Sequence, residues 1–138
     1  MYRDPPGANE AAAAPRRAPD GAVWRREIVP GAVLLFRYSA LTFNGHRIHY
    51  DYPFVTKVEG YPGLIVHGPL IATLLVDLLR RNVEVGLTRF AFRAVRPLFD
   101  TARFAVCGVP EGDGKSAKVW AQDAEGFLAM EADAEFGR

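Results

Sequence analysis

Hydrophobic and polar positions alternate most clearly near the end of the chain. From Phe127 to Phe136, Leu128, Met130, Ala132, Ala134 and Phe136 share one face, with Glu131, Asp133 and Glu135 on the other. A period of two predicts a strand with one wet face. Three more strands are predicted before it: Arg89–Arg96, which stops at Pro97; Ala102–Val109, closed by Gly112-Asp113-Gly114; and Lys118–Asp123. Upstream of these the period changes. Pro69 to Asn82 carries Leu70, Ile71, Ala72, Leu74, Leu75, Val76, Leu78 and Leu79, while Thr73, Asp77, Arg80 and Arg81 form one narrow polar stripe. Proline suits the first turn of a helix, and a helix this apolar must be enclosed on most of its circumference. Val23–Val29 and Val33–Leu41 are apolar, β-rich runs divided by Pro30-Gly31, and predict two further strands. Residues 42–67 read as irregular, with Asn44-Gly45 and Pro62-Gly63 turn signals.

The order is therefore two strands, an irregular segment, one buried helix and four antiparallel strands. An α+β hotdog fold, a curved antiparallel β-sheet wrapped around one central helix, satisfies it. Half of the first twenty residues are Ala or Pro, which predicts an extended linker or tail over 1–22 and a single domain over 23–138. A net charge of +1 removes any bulk electrostatic case for nucleic acid or an anionic membrane. No apolar run reaches the roughly 18 residues of a membrane span, and the first residues lack the apolar stretch of a signal peptide. The lone Cys107 excludes an intrachain disulfide and a multi-cysteine zinc site, and reads as inert packing. A cytoplasmic domain with no nucleic-acid or membrane partner is the expectation.

Two segments are not explained by hydrophobic patterning. Tyr38 to Asp51 is polar, aromatic and histidine-containing; Gly60 to Pro69 runs directly into the helix. All three histidines, His46, His49 and His67, lie in these segments. The glycine-rich approach leaves backbone N–H groups free at the positive end of the helix dipole. Such an end is a cradle for a carbonyl oxygen that gains negative charge.

The runs FNGHRIHYD and VEGYPGLIVHGPL, with FRAVRPLFD, resemble the MaoC-type hydratase/dehydratase family over roughly Trp24 to Phe136. Within it they resemble the branch of 3-hydroxyacyl-thioester dehydratases and mesaconyl-C4-CoA hydratases. The resemblance implies addition or removal of water across the Cα–Cβ bond of an acyl-CoA thioester. It implies no metal or redox cofactor, coenzyme A entering as part of the substrate. The wider family pairs an Asp with a His five residues later; here Asn44 stands at the Asp position and His49 at the His. His49 is then the proton carrier, since Asn can hold water but cannot take its proton. Gly68 is expected to be the oxyanion donor through its N–H, with a close-packing glycine before Pro69 as the alternative.

His46, Arg47, Gly63 and His67 are the candidate substrate-binding residues, with a capping or packing role as the alternative for His67. Arg47, Arg89, Arg93 and Arg96 are candidates for the coenzyme A phosphates, or else a solvated strand face. Members of the branch are often twice as long, a degenerate first hotdog preceding an active one, and this chain resembles the second. A homodimer, or a heterodimer with another hotdog domain, is therefore expected. Two rival functions remain: an acyl-CoA thioesterase, and a non-catalytic hotdog subunit.

Overall fold

The computed structural model describes residues 14–137, so residues 1–13 of the expected tail lie outside it. Five strands are present: β1 (Trp24–Ile28), β2 (Leu87–Ala94), β3 (Phe104–Glu111), β4 (Ser116–Asp123) and β5 (Leu128–Phe136). They form one antiparallel sheet in the order β1-β3-β4-β5-β2. Three helices precede β2: α1 (Ala32–Leu41), α2 (Tyr52–Lys57) and α3 (Gly68–Asn82), with a single 3-10 turn at Arg47–His49 between the first two.

Strands β2 to β5 and helix α3 match the sequence pattern to within a few residues at each end. The run Val33–Leu41 does not. The expected strand there is helix α1, and the expected irregular segment contains α2 and the 3-10 turn. Ala, three Leu and Arg favour a helix in α1. Its buried residues, Leu35 and Ser39, are four apart, the spacing of one helical face. Apolar content alone cannot separate a short helix from a strand.

Helix α3 lies against β1, β3, β4 and β5, and buries Leu70, Ile71, Ala72, Leu75, Leu78 and Leu79. The sheet meets it with small side chains, Ala117, Ala121, Ala132 and Ala134, between Phe104, Val106, Val119, Met130 and Phe136. Small residues here let the helix come close, and the larger ones fill the remaining space. The polar stripe also has a role. Asp77 bonds Arg80 and Arg81 on its own helix and reaches Arg26 on β1 at 3.0 Å. The neighbouring guanidinium groups hold its carboxyl down at about 2.

The other face of the sheet has a small core of Ala105, Cys107, Trp120 and Leu128. Residues 16–18 run beside it: Leu128 N–H donates to the Arg16 carbonyl, and Ala18 N–H to that of Gly126. Arg16 and Ala18 are thus tied to the sheet by backbone hydrogen bonds. No helix among the described residues is long and apolar enough to cross a membrane.

Helix α1 ends in a Schellman motif. Asn44 N–H donates to Ser39 O at 2.9 Å and Phe43 N–H to Ala40 O at 3.3 Å. The residue in the left-handed position is Phe43, with φ 53°, and its ring is 96% exposed. A left-handed L-residue costs about 1–2 kcal/mol, partly offset by the extra freedom glycine has when unfolded, about 0.5–1 kcal/mol. Phe43→Gly is therefore expected to stabilise the chain by about 0.5–1 kcal/mol, seen as a higher urea midpoint at unchanged slope. A lower midpoint would mean that the exposed ring has contacts worth more than the strain.

Candidate active site

Three local structures bring the histidines together. The Schellman turn delivers Asn44, whose Oδ1 accepts the His46 N–H at 3.1 Å. That bond fixes the amide orientation, because a backbone N–H requires an oxygen, and it leaves the Nδ2 donors for another group. The 3-10 turn follows and carries His49 inward, 7% exposed. Tyr50 closes the loop from outside, its hydroxyl donating to Gly45 O at 2.8 Å.

Residues 64–66 form the second wall. Val66 N–H donates to Leu98 O and Asp100 N–H to Leu64 O, an antiparallel pairing that continues the chain into α3. Ile65 faces the histidines with both of its backbone groups. Its N–H donates to Ile48 O at 3.0 Å, and its carbonyl accepts from His49 Nδ1 at 2.7 Å. A carbonyl only accepts, so Nδ1 carries the proton and Nε2 keeps a lone pair whenever the ring is neutral. Burial lowers the His49 pKa against the raising effect of the Ile65 bond, and nearby His46 lowers it further. Neutral His49 is therefore the dominant form near pH 7, as a base requires.

His67 precedes α3 and is 1% exposed. Its ring lies flat on that of His49, centroids 3.7 Å apart and planes 17° apart. Its Nε2 is 2.7 Å from Ser39 Oγ on α1, and Tyr38 meets it edge-on at 4.7 Å. Burial, then the neighbouring His49, pushes its pKa down to about 4.

Gly68 opens α3. Its N–H has no acceptor among the described residues, as expected at a helix N-terminus. A Cβ placed there would meet nothing within 4 Å. Close packing against other parts of the chain is therefore not the reason for glycine at this position. Gly63 is the opposite case. A Cβ there would lie 2.5 Å from Asp100 Oδ1 and 2.8 Å from Thr101, so tight packing under Asp100 explains it. Asp100 Oδ1 in turn accepts the Leu64 N–H at 2.9 Å, which steadies the second wall.

The sequence-selected arginines are all engaged. Arg47 pairs with Asp51 at 2.9 Å and lies 4.2 Å over Phe54, securing the start of α2. Arg89 pairs with Glu135, Arg93 with Glu131, and Arg96 lies 5.6 Å from the Phe127 ring centroid. His46 stays exposed, edge-on to His49 at 5.8 Å. Tyr38, Ser39 and Ile65 lie within the two segments that hydrophobic patterning leaves unexplained, but the sequence assigns none of them an individual role. Only the helical spacing of Leu35 and Ser39 would have pointed to Ser39. Among the described residues no three His, Cys, Asp or Glu side chains converge as a metal site.

Known proteins resemble this chain in sequence and in fold. The family described as hydroxyacyl-thioester dehydratase type 2 matches residues 1–100. Mesaconyl-C(4)-CoA hydratase from Chloroflexus aurantiacus is 46% identical over 99% of this chain and 48% of its own length. The chain thus spans about half of that relative. Among solved structures, the (R)-hydratase from A. caviae involved in PHA biosynthesis superposes with a TM-score of 0.68. It covers 91% of this chain and 96% of its own at 20% identity. The ChsH1–ChsH2 complex from Mycobacterium tuberculosis matches at a TM-score of 0.70 and 11% identity, over 85% of this chain and 96% of the matched one. The fold is the hotdog, and with the family match extending from residue 1 through Asn44, His49 and Gly68, the chain belongs to the hydroxyacyl-thioester dehydratase type 2 family.

Proposed function

We propose that the chain catalyses reversible addition of water across the Cα–Cβ bond of an acyl-CoA thioester. The observation that carries this reading is the His49 Nδ1 bond to Ile65 O, which leaves Nε2 as a base on a ring stacked against His67, the residue that precedes Gly68. In hydration, Nε2 takes a proton from water as the water oxygen bonds to Cβ. The Cα–Cβ π electrons move onto the thioester oxygen, where the Gly68 N–H stabilises the enolate charge. The His49 imidazolium then returns its proton to Cα, and dehydration reverses these steps. Asn44 Nδ2 supports the water oxygen, since its Oδ1 is committed to His46. The 46% identity to a mesaconyl-C(4)-CoA hydratase supports an enoyl-CoA or mesaconyl-CoA type of substrate.

A second hotdog, as another copy of this chain or a separate domain, is the proposed partner. Strand β2 is exposed along almost its whole length, with Leu87 40% and Phe92 50% exposed, and it forms one edge of the sheet. An open apolar edge of this kind recruits another strand.

Loss of enoyl absorbance from crotonyl-CoA, with light scattering on the same sample, tests the reading. Absorbance loss without free thiol supports it; thiol release would make the chain a thioesterase, and neither signal would make it non-catalytic. Gly68→Ala is expected to remain folded by circular dichroism, because within 4 Å the new methyl meets nothing beyond its own chain neighbours and helix backbone. The same methyl obstructs approach of the thioester oxygen, and kcat/KM should fall about tenfold or more. Unchanged kcat/KM would remove Gly68 from the oxyanion site.

A further inference from the structure

His67 and Ser39 are both buried, and the reaction above gives neither a part. The cost of keeping them is visible. His67 Nδ1 has no partner among the described residues, so a buried polar atom is left unsatisfied. A histidine kept only as filling would be replaceable by an apolar ring without that cost. Three separate elements converge on this one imidazole. The pairing of 64–66 with 98–100 fixes its backbone, α1 supplies Ser39 and Tyr38, and the 3-10 turn supplies His49.

His49 needs such a neighbour. The one hydrogen bond its ring makes among the described residues, Nδ1 to Ile65 O, fixes a single point and leaves the plane free to tilt about it. A flat surface 3.7 Å away removes that freedom. We infer that Ser39 and His67 are positioning residues for His49: Ser39 anchors His67, and the face of His67 sets the plane in which His49 Nε2 meets the reacting water. Ser39 does more than this. Its carbonyl accepts the Asn44 N–H at 2.9 Å while its hydroxyl holds His67, so one residue sets Asn44 and the histidine stack in register.

The charges agree with this arrangement. Two imidazolium rings at 3.7 Å would repel strongly, so at most one ring of the stack is charged at a time. Burial and the neighbouring His49 keep His67 uncharged, with a pKa of about 4, and the positive N-terminus of α3 acts in the same direction. An uncharged aromatic face favours the imidazolium formed on His49 during turnover. Few other groups can disturb the pair. Tyr38 faces His67 from α1, and His46 faces His49 from the start of the 3-10 turn. Arg47 and Asp51 neutralise each other. On α3 the first charged residue, Asp77, is ten residues beyond His67, about 15 Å along the helix.

This inference rests on the hydratase reading, so its test has a readout that needs no turnover. Ser39→Ala, His67→Phe and His67→Ala are compared with wild type for kcat, KM and the pH profile of kcat/KM. The imidazole nitrogens are followed by 15N NMR titration of the free proteins. His67→Ala is expected to lower kcat about tenfold with KM nearly unchanged. Its acidic limb should move to higher pH as water reaches His49 and eases its protonation. His67→Phe retains the flat contact and should recover most of kcat, while Ser39→Ala should fall between the two. In the NMR titration His49 should stay protonated at Nδ1 in wild type and shift its titration upward in His67→Ala. A folded His67→Ala protein with wild-type kcat and an unmoved acidic limb would overturn the inference. So would a folded His67→Phe protein as impaired as His67→Ala. If wild type turns over no thioester, the function proposed above fails on its own. The pair is then judged by NMR, and an unmoved His49 titration in His67→Ala would overturn it.

Discussion

His49→Ala should lower hydration of an enoyl-CoA by about 10²-fold or more, the usual worth of a positioned general base. The rest of the site cannot substitute. Asn44 has no proton to exchange, His46 is exposed, and His67 is fully buried with Nε2 committed to Ser39. The variant should fold, because His49 lies on a short loop turn and fixes no core contact comparable to those of α3. A variant within tenfold of wild type would take His49 out of the mechanism. The pH profile gives a second check. Only neutral His49 acts as the base, so kcat/KM rises with pH through its pKa and levels off above it. Burial, opposed by the Ile65 bond and assisted by His46, sets that pKa below the ordinary histidine value of 6.5. The acidic limb of wild type should accordingly lie below pH 6.5, and a limb above it would contradict the buried geometry.

What the sequence could reveal depended on how local each cause was. From Met130 onward strand β5 is readable because its alternation is produced by the residues themselves, one face in the α3 core and one towards water, whereas Leu128 turns to the core on the other face of the sheet. Helix α3 was readable because its apolar surface is closed almost all round within this chain. Helix α1 was misread for the converse reason. Val33, Phe36 and Leu41 are 63%, 61% and 80% exposed, while the buried side includes a serine. Hydrophobicity therefore marks the wrong face of α1, and the helical spacing of Leu35 and Ser39 is lost among apolar neighbours. The candidate site divides in the same way. His49, Asn44 and Gly68 stand in contiguous runs whose order carries their chemistry. The stack of His67 on His49 does not, because it comes from pairing residues 64–66 with 98–100, some thirty positions apart. Ser39 was within a run already picked out, yet its role needs a helix where the pattern predicts a strand. Arg89 and Arg93 are held by cross-strand carboxylates that the sequence does not align, the solvated strand face that is one of the two readings of their spacing.

Acid should destabilise the chain well before its carboxylates protonate. His67 has a pKa of about 4 when folded against an ordinary 6.5. Between those values the unfolded chain binds a proton that the folded chain refuses, so stability rises with pH there and is lost as pH falls. The contribution is fully present above about pH 6.5. One such group accounts for a loss of about 2–3 kcal/mol on going from pH 7.5 to 4.5. His49, whose pKa is also lowered, adds to the loss in the same direction. The carboxylates act in a separate window. Asp51, Asp77, Asp113 and Glu131 have folded pKa values below ordinary, so their contributions stay in place until the pH drops below about 4.5. Urea unfolding at pH 7.5, 6.0 and 4.5 separates the two sets. A steep fall before pH 4.5 belongs to the histidine stack, and His67→Phe should flatten most of it, because phenylalanine fills the same space without a proton to refuse. A wild-type unfolding free energy that stays level from pH 7.5 to 4.5 would mean that His67 accepts its proton in the folded chain, against the enclosure seen around its ring.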